Sequence, residues 1–151
     1  MVRVRAAGPS DLPRLIEIAA HSATAAQWNP AEYHKLFAPE PLQNRPALAI
    51  EEDSQVLGFI VAKQIGPEWE IENIAVTGSA RRRGLGTRLL GEFIDLARSR
   101  GAREIFLEVR ESNLAARALY EKWAFIETGR RKAYYEDPVE DALIFKLSFA
   151  L

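Results

Sequence analysis

The chain contains no cysteine among its 151 residues. That removes disulfides, thiolate metal sites and cysteine nucleophiles together, and it fits a reducing compartment. Histidine is scarce as well: His21 and His34 are the only two, with no Asp or Cys at metal-ligand spacing, so both read as ordinary surface or packing residues and no metal is expected. No run approaches the roughly 18 to 20 apolar residues that span a bilayer, and Met1-Val2-Arg3-Val4-Arg5 lacks the apolar stretch of a signal peptide. The expectation is a cytoplasmic protein that does not enter a membrane. An excess of one charge is missing too: 20 Lys and Arg face 21 Asp and Glu, a net charge of −1, which argues against a general nucleic-acid binder. What remains is a globular composition, 48% hydrophobic and 27% charged, of a length that fits one domain over residues 1–151.

Periodicity divides the chain into elements. Val2 to Ala6 alternates as a strand, and Gly8-Pro9-Ser10-Asp11 then offers a turn and a helix start ahead of Leu12, Leu15, Ile16, Ile18 and Ala19 at helical spacing. Asn29-Pro30 opens a second, short helix to Phe37, and Pro39, Pro41 and Pro46 mark a connecting loop. Strands at 47–50 and 56–64 with a polar turn at 51–54 read as a hairpin, followed by a strand at 69–76. The period then changes. Leu85, Leu89, Leu90, Phe93, Ile94 and Ala97 form one helical stripe closed by Gly101, and 104–109 is a strand with Ile105, Leu107 and Val109 on one face. A strand, helix and strand of this length predict a parallel pair. Asn113 begins another helix with the stripe Ala116, Leu119, Tyr120 and Trp123, and strands at 125–128 and 142–149 end the chain. The expected order is βααβββαβαββ, a mixed α/β sheet with helices on both faces.

Between a strand end and the strongest amphipathic helix stands Arg81-Arg82-Arg83-Gly84-Leu85-Gly86-Thr87. Unpaired N–H groups, the helix dipole and glycines that admit close approach make such a place suited to an anion such as a pyrophosphate. No Gly-Lys-Ser/Thr follows and the three-glycine dinucleotide fingerprint is absent, which disfavours ATP and NAD. Taken alone, the segment is equally readable as a glycine-containing loop with a solvated basic run; a nucleic-acid patch is weaker, because no aromatics accompany the arginines.

In this order the elements resemble the GNAT superfamily of acetyl-CoA-dependent N-acetyltransferases, whose Gln/Arg-x-x-Gly-x-Gly/Ala pattern is matched by Arg81, Gly84 and Gly86. Asn73-Ile74-Ala75-Val76, Leu107-Glu108-Val109-Arg110, Ser112-Asn113, Ala118-Leu119-Tyr120-Glu121, Tyr134-Tyr135 and Glu140-Asp141-Ala142 are similar to its RimI-type branch, which acetylates the N-terminal alanine of a small-subunit ribosomal protein. The resemblance implies a fold whose strands 69–76 and 104–109 splay apart, with the pantetheine arm of acetyl-CoA between them. It places backbone groups of Ile74, Ala75 and Val76 on the pantetheine amides, the backbone of Arg82, Arg83, Gly84, Leu85, Gly86 and Thr87 on the pyrophosphate, and Asn113 beside the cofactor. Asn113 equally suits a helix cap.

The resemblance further implies Glu108 as the general base and Tyr120, twelve residues on, as the acid that protonates the departing thiolate. Alone, Glu108 reads as a polar strand-end residue and Tyr120 as core. Glu70 and Glu72, alternating onto one face with Ile74, are the rival base positions. Trp28 and Glu72 on one wall, and Tyr134 and Tyr135 on the other, are expected to flank the acceptor; the tyrosines also suit half-buried strand positions. With no cysteine, and no serine beside a plausible histidine base, direct transfer in a ternary complex is expected, and a backbone N–H near Val76 is available to hold the oxyanion. Two alternatives stay open: acetylation of a small amine or antibiotic, and a non-catalytic CoA-binding module. Two departures from the family pattern stand out. Ala124 replaces the glycine that usually follows the helix begun at Asn113, and Ala26-Gln27-Trp28-Asn29 matches the family's Phe-Pro-Trp segment only in part.

Overall fold

The computed structural model describes residues 1–22, 28–37, 44–136 and 138–149. Seven strands, β1 (Val2–Ala6), β2 (Ala47–Glu52), β3 (Gln55–Ile65), β4 (Glu68–Val76), β5 (Glu104–Arg110), β6 (Ile126–Tyr135) and β7 (Glu140–Ser148), form one sheet in the order β1-β2-β3-β4-β5-β7-β6. Four α-helices, α1 (Leu12–Ala20), α2 (Pro30–His34), α3 (Leu85–Ser99) and α4 (Leu114–Lys122), lie between them in the expected sequence. The β4 and β5 pair is parallel, and the other five pairings are antiparallel. Among the described residues no helix is long and apolar enough to cross a membrane.

Two apolar clusters hold the helices to opposite faces of the sheet. Leu89, Leu90, Phe93 and Ala97 of α3 and Tyr120 of α4 pack with Ile60, Trp69, Ile105, Leu107 and Phe145. On the other face Leu15, Ile18 and Ala19 of α1 and Tyr33 of α2 pack with Ala49, Phe59, Val61 and Ala75. Each large side chain fully withdrawn from water, such as Leu90 or Phe93, stabilises the fold by about 1.5–3 kcal/mol relative to its exposed state.

Three expectations need correction. The β2–β3 turn is tighter than residues 51–54: Glu52 already pairs with Gln55, and Asp53 and Ser54 alone adopt positive φ, the geometry of a two-residue hairpin. The final hairpin is longer, because β6 runs to Tyr135 although its residues are mostly exposed; an edge strand needs no buried face, so alternation did not mark it. Glu70, Glu72 and Ile74 do not alternate onto one face. Val61 pairs with Asn73 and the next residue, Ala62, with Ile71, so Glu72 is an extra residue on β4. Ile71 and Ile74, three apart, therefore both reach the α3 cluster.

Candidate active site

Pairing between β4 and β5 covers Glu68↔Glu104, Trp69↔Ile105 and Glu70↔Phe106 and then stops, while β4 continues to Val76 and β5 to Arg110. The bulge at Glu72 begins two residues later. An extra residue bends and twists its strand, which accounts for β4 turning away from β5 at this place. Beyond it, β4 keeps its β3 partners through Ile60↔Ile74, Phe59↔Ala75 and Gly58↔Val76. The expected splay is thus present, and the edge of Ile74, Ala75 and Val76 toward β5 lies without strand pairing among the described residues. Gly58 allows the β3–β4 approach there: a Cβ at that position would stand 2.9 Å from the Ala75 carbonyl oxygen.

The arginine-glycine loop leads from the end of β4 into α3. Arg82 and Gly84 take φ of 65° and 74°, and Gly84 occupies the cap position of α3, where it offers no side-chain acceptor. The first helical bond runs from the Arg88 N–H to the Gly84 carbonyl at 3.0 Å, so the N–H groups of Leu85, Gly86 and Thr87 stand ahead of the helix's own ladder. Gly86 faces Leu119 and Val76, at 3.7 and 3.9 Å from a Cβ built on it. Such a terminus suits an anionic phosphate, and the open β4 edge suits an amide-bearing chain, so the residues present fit a ligand carrying both. The Arg83 side chain turns back to pair with Glu52 at 2.8 Å, leaving its backbone for the loop. Asn113 caps α4: its Oδ1 accepts the Ala116 N–H at 3.1 Å, while its amide nitrogen stays available.

Glu108 and Tyr120 stand on opposite faces of the sheet. Tyr120, 4% exposed, packs with Leu107 and Val109 in the α3 cluster and against the rings of Phe125 and Phe145. Burial, and then the nearby Tyr135 phenol, push its hydroxyl well above the ordinary tyrosine value, so it is protonated at any ordinary pH. Glu108 projects to the α1–α2 face with Phe106, the partner of Glu70, and its Oε1 lies 2.8 Å from the Nε of Arg131. A single molecule can reach both side chains only across the opening where β4 and β5 part.

The α1–α2 face gathers the other expected residues. Glu70 is half-buried, and burial followed by the charges of Glu72 and Glu108 raises its carboxyl above the usual value. Glu72 is engaged: its Oε1 accepts from the Nε of Arg45 at 3.0 Å, with Arg45 Nη2 also at 3.0 Å. The Arg45 side chain is only 12% exposed and sits over the Trp28 ring at 5.3 Å; Trp28 in turn contacts Tyr33. On the far wall Tyr134 and Tyr135 meet edge to face at 5.2 Å, with Arg110 over Tyr135 at 4.2 Å. Ala26 and Gln27, the rest of the first wall, lie outside the described residues.

Sequence reasoning missed Arg45, Arg131 and the work of Asp141. Arg45 sits 27 residues from Glu72 and reaches it because residues 44–46 bond to β3, through Ala62 N–H to the Pro46 carbonyl and Gln64 N–H to the Asn44 carbonyl. Asp141 accepts from the Ala133 N–H at 2.8 Å and from Arg130 at 2.7 Å, pinning the bulge by which β6 delivers Tyr134 and Tyr135. No local pattern announces either contact. A cleft of about 720 Å³ between β1, β2 and α3, bordered by Arg5, Leu48, Glu92 and Arg100, includes none of the expected site residues. Among the described residues no group of His, Asp and Glu is placed to hold a metal.

Residues 12–125 match the model of the acetyltransferase (GNAT) family. The chain belongs to the GNAT family. It is 34% identical over 144 residues to the [ribosomal protein bS18]-alanine N-acetyltransferase of Escherichia coli K12, covering 94% of each chain. The crystal structure of the ribosomal-protein-S18-alanine N-acetyltransferase from E. coli superposes with a TM-score of 0.87 at 30% identity, over 100% of this chain and 96% of that one. An Arabidopsis thaliana NAA60 structure in complex with acetyl-CoA shares the fold at a TM-score of 0.85 and 19% identity, covering 98% of each chain. This GNAT protein is therefore an N-acetyltransferase of RimI type, and acetyl-CoA is the acyl donor its family uses.

Proposed function

We propose that this enzyme transfers the acetyl group of acetyl-CoA to a protein N-terminal α-amine, with the N-terminal alanine of a small-subunit ribosomal protein as its acceptor. The observation that carries this reading is the parting of β4 and β5 after Glu70↔Phe106, which opens a passage between the phosphate-competent loop and Tyr120 on one face and the carboxylates on the other. Relatives named as alanine N-acetyltransferases support the acceptor.

In this reading the backbone from Arg82 to Thr87 holds the pyrophosphate, Ile74, Ala75 and Val76 pair with the pantetheine amides, and Asn113 lies against the same arm. An α-ammonium with a pKa near 8 must lose its proton before attack. Glu108 takes that proton, directly or through water; the amine attacks the thioester carbonyl, and Tyr120 gives its proton to the departing thiolate. The deprotonated nitrogen bonds to the acetyl carbon as the carbon–sulfur bond breaks and then loses its second proton, which restores the Tyr120 phenol by way of water, while Glu108 releases the first to solvent; no covalent enzyme intermediate forms. Trp28 and Glu72 line one side of the acceptor and Tyr134 and Tyr135 the other.

Glu70 supports a second assignment of the base, because its raised carboxyl is the one drawn toward a base's working range. The two variants Glu108→Gln and Glu70→Gln separate them. With Glu108 as base, Glu108→Gln lowers kcat/KM by about 10²- to 10⁴-fold with acetyl-CoA affinity retained, while Glu70→Gln keeps most of the activity. The reverse pattern assigns the base to Glu70.

A further inference from the structure

Three carboxylates stand at the acceptor side of the opening, and each has a different relation to positive charge. Glu72 is locked by Arg45, whose side chain is almost withdrawn from water. Glu70 has Lys63 and Arg131 near enough to offset part of the repulsion from its acidic neighbours. Glu108, 24% exposed, is held by Arg131, which is 57% exposed. The carboxylate is the fixed partner, since β5 lies inside the sheet between β4 and β7. The guanidinium comes from the edge strand β6, and its other contact is the ring of Tyr134 at 5.5 Å, itself half exposed.

We propose that Arg131 is a built-in competitor for the acceptor: its guanidinium occupies Glu108 in the free enzyme, and the incoming α-ammonium binds by displacing it. The inference rests on the reading of Glu108 as the carboxylate that meets the acceptor amine. An ion pair whose cation is largely exposed is weak, so the guanidinium is exchangeable. A molecule that brings a positive charge of its own replaces what Glu108 loses when Arg131 leaves, whereas a neutral one leaves Arg131 in place. Neutral chain ends, including acceptors already acetylated, cannot make the exchange. Arg131 thereby sets how tightly a cationic chain end is held at Glu108, weakening it by the cost of the exchange.

The surroundings agree with an exchange confined to this pair. Glu108 faces Glu70 from β4, Ile144 from β7, and Arg131 and Tyr135 from β6, with Arg110 of its own strand stacked over Tyr135. Arg45 is committed to Glu72 and Arg110 to Glu140 and Tyr135. When Arg131 swings outward along β6, Tyr134 offers its ring face as a resting place.

The test is a set of dissociation constants measured by calorimetry in the presence of CoA, for the intact protein, Arg131→Gln and Arg131→Lys. Two ligands are compared: a short peptide beginning with Ala, and its des-amino analogue, which lacks only the ammonium. The expected result is that Arg131→Gln binds the ammonium peptide about three- to fivefold more tightly and the des-amino peptide unchanged, with Arg131→Lys close to the intact protein. Weaker or undetectable binding of the ammonium peptide to Arg131→Gln, or an equal response to both peptides including none, overturns the proposal. A structural lesion would not tighten binding of one ligand alone. Failure of the base assignment is read separately, by turnover of Glu108→Gln: if that variant turns over normally while Arg131→Gln still tightens the ammonium peptide, the exchange stands and the base is elsewhere.

Discussion

Glu70 and Phe106 are the last residues at which β4 and β5 pair, and the parting of the strands immediately past them sets the geometry of the site. In the proposed mechanism it is the opening across which Tyr120, buried in the α3 cluster, and Glu108, on the opposite face, address the same bond. The bulge at Glu72 follows directly and explains why the strands do not rejoin.

The carboxyl of Glu70 links function to stability. Burial, Glu72 and Glu108 raise its pKa above the ordinary 4.5. A carboxyl raised in the folded state binds its proton more tightly there than in the unfolded chain, so stability falls as pH rises from the unfolded value through the folded one and stays at that lower level above it. Glu70→Gln is expected to melt at a higher temperature than the intact protein at pH 7, with the gap closing as pH falls below about 4.5. Melting temperatures across that range check the sign; a variant less stable at pH 7 would contradict it.

The alanine at 124 carries a backbone penalty. Its φ is 69°, at the place just after α4 where the family pattern has glycine. Left-handed backbone costs a residue with a Cβ about 1–2 kcal/mol, partly offset by the greater entropy glycine loses on folding. Ala124→Gly is expected to stabilise the protein by about 1 kcal/mol, read as a higher urea midpoint with unchanged slope. No gain would mean that the unfolded-state entropy of glycine cancels the relief.

Asp141 sits beside the site without facing the reaction. By accepting from the Ala133 N–H and from Arg130, which also reaches Glu111, it fixes the bulge that carries Tyr134 and Tyr135. Asp141→Ala is expected to raise the acceptor KM several-fold with acetyl-CoA affinity little altered. Equal loss of donor and acceptor binding would indicate general unfolding of the β6–β7 hairpin instead.

Most of the architecture was legible because its signals are local. The alternation of β1, the apolar run of β3, the leucine stripe of α3, Gly84 ahead of it and Asn113 at the start of α4 each declare their element within a few residues. The parting of β4 and β5 was reached through resemblance rather than periodicity. The bulge that accompanies it, by contrast, is a matter of register between strands, and one additional residue at Glu72 leaves no trace in hydrophobic alternation. The exposed far half of β6 was missed because an edge strand carrying Arg130, Arg131 and Lys132 has no buried face to repeat. The same limit hid Arg45 and Arg131. Their partners lie 27 and 23 positions away in the chain and meet them only across the folded sheet.

The most direct measurement is acetyl transfer by the purified protein from acetyl-CoA to a short peptide beginning with Ala, set beside free amino acids, polyamines and aminoglycosides, with the modified atom located by mass spectrometry. The expected result is acetylation of the peptide's α-amine, absent from a peptide whose N-terminus is blocked, and little turnover of the small amines. Rapid acetylation of a small amine with the peptide untouched would contradict the proposed acceptor, and tight CoA binding without transfer to any amine would contradict the catalytic role of Glu108 and Tyr120.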